Sequence, residues 1–471
     1  MNDVLDVIII GAGTAGLSAL HQVRKRTSRF VIINDEPWGT VCARVGCMPS
    51  KVLIEAANAF HRRTSFAEFG ITGDEHLAVN LPAVLRRVRR LRDEFVRGVI
   101  KLTADLGENA ISGRARLLGP DRVEVNGREL RARRIILATG SSPVVPAAWR
   151  ALGGRLLTSD TLFEQDDLPA RIAVVGLGAI GVEIAQALSR LGIDVIGFDG
   201  VRTIAGLTDP AVNGVAIDLL AREFPMHLGT NVELAEVGGD VRVRAGEVEA
   251  TVDRVIAAIG RRPNIDDIGL ELLGVELDER GLPPYNPVTQ QIGELPVYLA
   301  GDVNGHAPLQ HEASDEGYIA GLNATRPDVA CIARRIPLSI VFADPNIAAV
   351  GKRFEELEGT GFIAGEVDFG DQGRARAAQR NRGLLRIYAQ RDDGRLLGAE
   401  MCAPGGEHLA HLLAFAVQLG LTVHELLRLP FYHPVLEEGL RTALRDLTKQ
   451  LAWNADSDLA ACEAHGVEAL D

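Results

Sequence analysis

Two cysteines five positions apart, Cys42 and Cys47, and a histidine followed five positions later by a carboxylate, His433 and Glu438, carry the reactive chemistry of this 471-residue chain. Four intervening residues let the chain loop so that two sulfurs reach bonding distance, which needs Cα atoms within about 7 Å. Pro49 suits the first turn of a helix. Val52, Leu53, Ala56, Ala57 and Phe60 recur at helical spacing through its body. A thiolate near a helix N-terminus and beside Lys51 is electrostatically favoured, so Cys47 is the better-placed charged thiol. The pair taken alone also reads as two buried cysteines that never react. A carboxylate that orients an imidazole makes it a general base. A histidine in that place also reads as a simple helix cap. Pro434 opens the helix expected to follow, with Leu436, Leu440, Leu444 and Leu447 as its apolar stripe.

The elements that must position these groups begin at Val4. An apolar strand, Val4 to Ile10, runs into Gly11-Ala12-Gly13-Thr14-Ala15-Gly16, then a helix and a second strand, Phe30 to Ile33. This is G-x-G-x-x-G in strand-turn-helix context, where glycines let backbone approach a pyrophosphate at a helix N-terminus. The ribose position at the end of the second strand holds Asn34, followed by Asp35, and either fits. A complete second unit follows: Ile172 to Val175, Gly176-Leu177-Gly178-Ala179-Ile180-Gly181, a helix to Leu191 and a strand closed by Asp199. An acid there suits the free 2′-hydroxyl of NAD and repels the phosphate of NADP, with Arg202 nearby as the competing signal. One unit can hold a tightly bound flavin and the other a diffusible nicotinamide.

Composition bounds the rest. Hydrophobic residues make up 46% and charged residues 24%, the balance of a globular protein with substantial cores. A net charge of -13 argues against a general nucleic-acid surface. No apolar run reaches the length of a membrane span and no basic leader precedes Val4, so a cytoplasmic protein with no membrane partner is expected. Cys42, Cys47, Cys331, Cys402 and Cys462 are too few and scattered for a disulfide framework. The arginine-rich face between Leu85 and Leu102 reads as a solvated surface. Short strands with turns at Gly119-Pro120-Asp121 and Asn126-Gly127 lead to Thr139-Gly140-Ser141, and later segments end at Gly260 and at Gly301-Asp302.

The order of these motifs resembles the pyridine nucleotide-disulfide oxidoreductases from Val4 to about Leu447, and Cys42 to Lys51, ending in Pro-Ser-Lys, is similar to the dihydrolipoamide dehydrogenases among them. The resemblance implies an α/β fold with two Rossmann-like dinucleotide-binding domains and a C-terminal α+β interface (dimerisation) domain. The implied boundaries are 1–150 for FAD binding, 151–275 for NAD binding, 276–335 for a return to the FAD domain, 336–452 for the interface and 453–471 for an acidic, alanine-rich tail. It further implies that Gly11, Gly13, Gly16, Asn34 or Asp35, Ala115, Thr139, Gly140, Ser141 and Asp302 serve FAD. Gly176, Gly178, Gly181, Asp199 and Gly260 would serve NAD. Lys51 would sit at the flavin edge and pair with Glu183. Cys47 would face the flavin, Cys42 would exchange with a dithiol substrate, and His433 with Glu438 would deprotonate that dithiol in the other subunit of a homodimer. A lipoyl-bearing carrier is the implied partner.

Four residues depart from that pattern. Val41 stands for a threonine, Arg44 for an asparagine, Phe431 for a histidine and Val435 for a threonine. Glutathione reductases typically have Pro-Lys-Lys where Pro49-Ser50-Lys51 stands, and mercuric reductases use a vicinal cysteine pair where this C-terminal region has only Cys462. The reading of another class is a non-catalytic flavin-binding subunit, against which the intact Cys42, Cys47, His433 and Glu438 weigh.

Overall fold

The computed structural model describes residues 4–451 and 458–459. Apart from Asp458 and Leu459, the tail assigned to 453–471 lies outside the described residues, as does Cys462. The chain divides into two compact units: one takes the chain up to Glu55, Asn80–Leu168 and Ile256–Arg334, the other Ala56–Val79, Pro169–Val255 and the chain from Arg335 onward.

The first unit is built on a parallel sheet. Strand Leu5–Ile10 lies between Phe30–Asn34 and Arg128–Leu137, in register Ile9 to Ile32 and Ile9 to Ile136. Val297–Leu299 returns to pair in parallel with Arg128–Leu137. Strands buried on both faces read as continuous apolar runs. Ile8, Ile10, Ile33 and Ile135 face one core, and Val7, Ile9, Ile32 and Ile136 the other. The expected hairpins form: Ala115–Gly119, Arg122–Val125 and Arg128–Leu137 pair antiparallel, with Asn126 and Gly127 both at positive φ in the two-residue turn between Val125 and Arg128. The arginine face of helix Leu81–Ala104 is more engaged than its sequence suggests. Arg89 pairs with Asp166 at 2.8 Å, Arg92 with Glu164, and Arg87 donates to the Val52 carbonyl at 3.2 Å.

Helices Thr14–Val23 and Gln310–Asn323 meet at backbone contact. A Cβ on Gly317 would stand 2.1 Å from the Ala15 carbonyl oxygen, and one on Gly321 2.5 Å from that of Ala19. Glu316, 2% exposed, accepts hydrogen bonds from the Gly301 amide and from Asn304 Nδ2, both at 2.7 Å, and lies 3.1 Å from Arg334. It thereby fixes the loop that carries Asp302. Burial pushes its carboxyl up to about 7, against the opposing pull of the Gly301 amide and Arg334.

In the second unit Arg171–Val175, Asp194–Asp199 and Met226–Leu228 pair in parallel, with helix Ala179–Arg190 between the first two. A five-stranded antiparallel sheet follows in the order Leu338–Val341, Asn346–Gly351, Leu396–Ala403, Leu384–Ala389, Ile363–Asp368. Helix Gly406–Leu419 buries Leu409, Leu413 and Ala416 on it but leaves Leu412 and Leu419 exposed, so the apolar face is wider than this chain's core uses. The last helix among the described residues is Glu438–Thr448, four residues later than Pro434 suggests. The Glu438 carboxylate takes the Val435 amide at 3.2 Å, and this holds Pro434 to Glu437 in turns ahead of the helix. Leu436 is therefore half-buried outside it, while Leu440, Leu444 and Leu447 form the buried stripe. No helix among the described residues is long and apolar enough to cross a membrane.

Gly317→Val forces the two helices of the first unit apart and should cost about 1–3 kcal/mol, read as a lowered Tm in thermal unfolding. For Glu316, an ordinary carboxyl in the unfolded chain titrates near 4.5. The folded state therefore binds more protons between that value and about 7, and this group's contribution to stability falls as pH rises through the window. Glu316→Gln should flatten that slope in unfolding measured between about pH 5 and pH 7; an unchanged slope assigns it to other groups.

Candidate active site

The redox helix begins at Cys47 itself and runs to His61, which puts Cys47 at the positive end of a 15-residue helix. Cys42 lies in a single helical turn, Val41–Arg44, capped by the Thr40 hydroxyl on the Ala43 amide at 3.0 Å. This cap is the device that brings the thiols together, and its signal is the Thr40-Val41-Cys42-Ala43 run. Cys42 is half-buried and Cys47 exposed. A hydrogen bond to Cys47, reinforced by burial, raises the Cys42 thiol well above the usual range. Lys51 Nζ lies 3.4 Å from Ser50 Oγ in the first unit. Glu183, 6% exposed in the second unit, accepts from the Phe342 amide at 2.9 Å. The side chain of Arg44 packs over Gly39, where a Cβ would stand 2.9 Å from its Cδ.

Both glycine turns are shaped to admit a dinucleotide. A Cβ on Gly16 would stand 1.9 Å from the Gly11 carbonyl oxygen, so only glycine lets that helix start against the turn. Positions Gly13 and Gly178 open onto space, with nothing within 4 Å of the point where a Cβ would stand, and neither helix start carries a side-chain cap. Unsatisfied amides at a helix N-terminus fit a pyrophosphate. Gly176 takes φ +92° and Gly181 is buried in the first turn of its helix.

The two turns share one tie. Asn34 Oδ1 accepts from the Ala12 amide at 2.9 Å, and Asp199 Oδ2 from the Leu177 amide at 2.5 Å. Of the two ribose candidates, Asn34 thus stands at the turn, while Asp35 is exposed beyond it. Ser141 Oγ donates to Asp302 at 2.6 Å and receives Arg261 Nε at 2.8 Å. Thr139 Oγ1 donates to the Asn264 carbonyl at 2.8 Å, and the Asn264 amide bonds the Gly140 carbonyl at 2.9 Å. Ala115 is buried in its strand, and Gly260 precedes the strand Arg261–Pro263 that pairs with Ser141–Pro143. His311 stands 3.6 Å from Glu312.

His433 Nδ1 lies 2.9 Å from Glu438 Oε1, with the imidazole 80% exposed. The imidazole, and then the Val435 amide, hold the Glu438 carboxyl below the usual carboxylate range. The ring's other nitrogen, Nε2, takes no part in this bond. No cluster of metal-ligating side chains occurs among the described residues.

Residues 5–317 match the family model of the pyridine nucleotide-disulphide oxidoreductases, and residues 337–444 match the dimerisation domain of that family. The chain is 31% identical over 460 residues to a dihydrolipoyl dehydrogenase of Thermus scotoductus, covering 94% of this chain and 98% of that one. It is 30% identical over 465 residues to the mitochondrial dihydrolipoyl dehydrogenase of Sus scrofa, covering 93% and 89%. Two solved structures share the fold. The HOCl-induced flavoprotein disulfide reductase RclA from Escherichia coli has a TM-score of 0.81 at 21% identity, covering 93% and 99%. LpdA from Mycobacterium tuberculosis has a TM-score of 0.82 at 24% identity, covering 93% and 99%. FAD and NAD(H) are the cofactors of the family and of its dihydrolipoyl dehydrogenases. With most of its length matched in this way, and with glycine turns shaped for two dinucleotides, the chain belongs to the pyridine nucleotide-disulphide oxidoreductase family.

Proposed function

We propose that the protein oxidises dihydrolipoyl groups with NAD+, using a Cys42–Cys47 disulfide and FAD, as a homodimer in which His433 serves the partner's dithiol. The observation that carries this reading is the His433–Glu438 pair at 2.9 Å, since a base for an incoming thiol has no use in a non-catalytic flavin carrier. The relatives named dihydrolipoyl dehydrogenase support the choice of dithiol. The exposed imidazole and the apolar residues left uncovered on helix Gly406–Leu419 suit a dimer. A lipoyl-bearing carrier domain is the partner, and the domain boundaries stated above belong to the same reading.

In the oxidised protein the first substrate sulfur gives its proton to His433 Nε2 and attacks Cys42 Sγ. The Cys42–Cys47 bond breaks and Cys47 leaves as the thiolate, in the place a helix N-terminus favours. The second substrate sulfur displaces Cys42, which takes up that second thiol's proton, and the substrate departs as a disulfide. Two electrons have then moved from the substrate to the cysteine pair. Glu438 holds His433 in the tautomer that exposes Nε2 and stabilises its protonated form. Bound FAD would supply a two-electron carrier between the reduced thiols and NAD+. Lys51, with Glu183 as its proposed counter-charge, would hold a positive charge at the flavin edge, and Gly11, Gly13, Gly16, Asn34 and Asp302 would hold the cofactor. Asp199, at the second turn, favours NAD+ over NADP+.

Purified flavin-loaded protein should reduce NAD+ with dihydrolipoamide, and Cys42→Ser should abolish turnover. Glu438→Gln should lower kcat by about 10²-fold with little change in KM, the signature of a lost base orienter. No turnover from the wild type, with free or protein-bound dihydrolipoyl groups, removes the substrate assignment. A kcat/KM for NADP+ equal to that for NAD+ removes the role given to Asp199.

A further inference from the structure

An arginine-rich loop is tied to the segment that carries the catalytic base. Between Gly370 and Arg382 the second unit holds Arg374, Arg376, Arg380 and Arg382 against one acid, Asp371. Arg382 is spent on Asp344 at 3.3 Å, a carboxylate also held by Arg190 at 3.2 Å and lowered further by Arg380. Arg374, Arg376 and Arg380 are exposed and make no hydrogen bond or ion pair through their side chains among the described residues. The loop is well held: Gln372 caps the short helix Gly373–Ala377, Asn381 Nδ2 donates to the Gly370 carbonyl at 2.9 Å, and the Arg380 amide bonds the Ala375 carbonyl at 2.9 Å. Gln372 Nε2 also donates to the Val435 carbonyl at 2.7 Å, and the Val435 amide is the group that Glu438 accepts while holding His433. Two residues therefore separate the basic loop from the catalytic base. Asp371 lies within the loop; of the acids nearby, Asp344 is held by Arg190 and Arg382, Asp368 by the Gly370 amide and Glu438 by His433.

We propose that Arg374, Arg376 and Arg380 form a docking surface for an acidic protein carrier whose dithiol arm reaches the site served by His433. The inference rests on the function proposed above. A chain of net charge -13 repels an acidic partner at long range, and a local cationic patch beside the site offsets that repulsion where docking occurs. Dihydrolipoamide itself is uncharged and makes no use of three cations. Their spread over seven residues suits a surface rather than one carboxylate.

The test measures binding of an isolated acidic lipoyl domain, octanoylated so that it cannot react, to the full-length flavin-loaded protein at about 20 mM and about 300 mM salt. The wild type should bind about tenfold more weakly at the higher salt. The triple variant R374Q/R376Q/R380Q should lose about tenfold in affinity at low salt and most of its salt dependence. Equal affinity of the variant and the wild type at low salt overturns the proposal. A variant that sediments as a monomer assigns the patch to the contact between two copies of this chain, and also overturns it. An equal loss in kcat/KM toward free dihydrolipoate, which carries one carboxylate, assigns the patch to a small anion and overturns it as well. Wild-type turnover of free dihydrolipoamide reports on the proposed function alone, so its failure stays distinguishable from a failure of docking.

Discussion

A side chain at the end of one strand holding a single amide in the turn beside it is the constraint on which both nucleotide units depend. Asn34 ties down the Ala12 amide and Asp199 the Leu177 amide, each the residue between the first two glycines. The bond fixes the turn where backbone must pass closest to backbone, and it leaves the following helix with free amides pointing outward. Two close backbone approaches lie beside it in the first unit, Gly16 against Gly11 and Gly317 against Ala15. A phosphate-binding surface made of backbone can be no more exact than the turn that presents it.

The reactive groups are held by the same economy. A one-turn helix capped by Thr40 delivers Cys42 to the first residue of a longer helix, where Cys47 stands. One carboxylate, Glu438, holds an imidazole with one oxygen and a loop amide with the other. In each case a short local hydrogen bond does the positioning, while the long elements supply rigidity.

These local bonds also explain what is legible in the chain alone. The glycine turns, the redox helix, the hairpin at Asn126-Gly127 and the antiparallel pairing of Leu384–Ala389 with Leu396–Ala403 follow from glycine chemistry and apolar periodicity, which are written in neighbouring residues. The start of the last helix is hidden because Pro434 is an ordinary helix opener, and only the carboxylate of Glu438 reveals that the amide beyond it is taken. The choice between Asn34 and Asp35 turns on which side chain faces a turn over twenty residues earlier, and the clamp of Glu316 on Gly301 joins a helix to a strand end. The ties on the arginine loop are likewise invisible, because Gln372 and Val435 lie more than sixty residues apart. Long-range side-chain-to-backbone bonds leave no periodic trace.

The close seat of helix Thr14–Val23 on helix Gln310–Asn323 also governs how the protein must be made. The first helix leaves the ribosome about 300 residues before the surface that covers it, and strand Val297–Leu299, which completes the sheet, is nearly as late. At about 5–20 residues per second, the apolar faces of the earliest strands and helix stay uncovered for about 15–60 s of synthesis. The first unit is thus a late-closing one. Its N-terminal half carries uncovered apolar surface through that interval, while the antiparallel sheet near the C-terminus draws all five strands from residues 338–403.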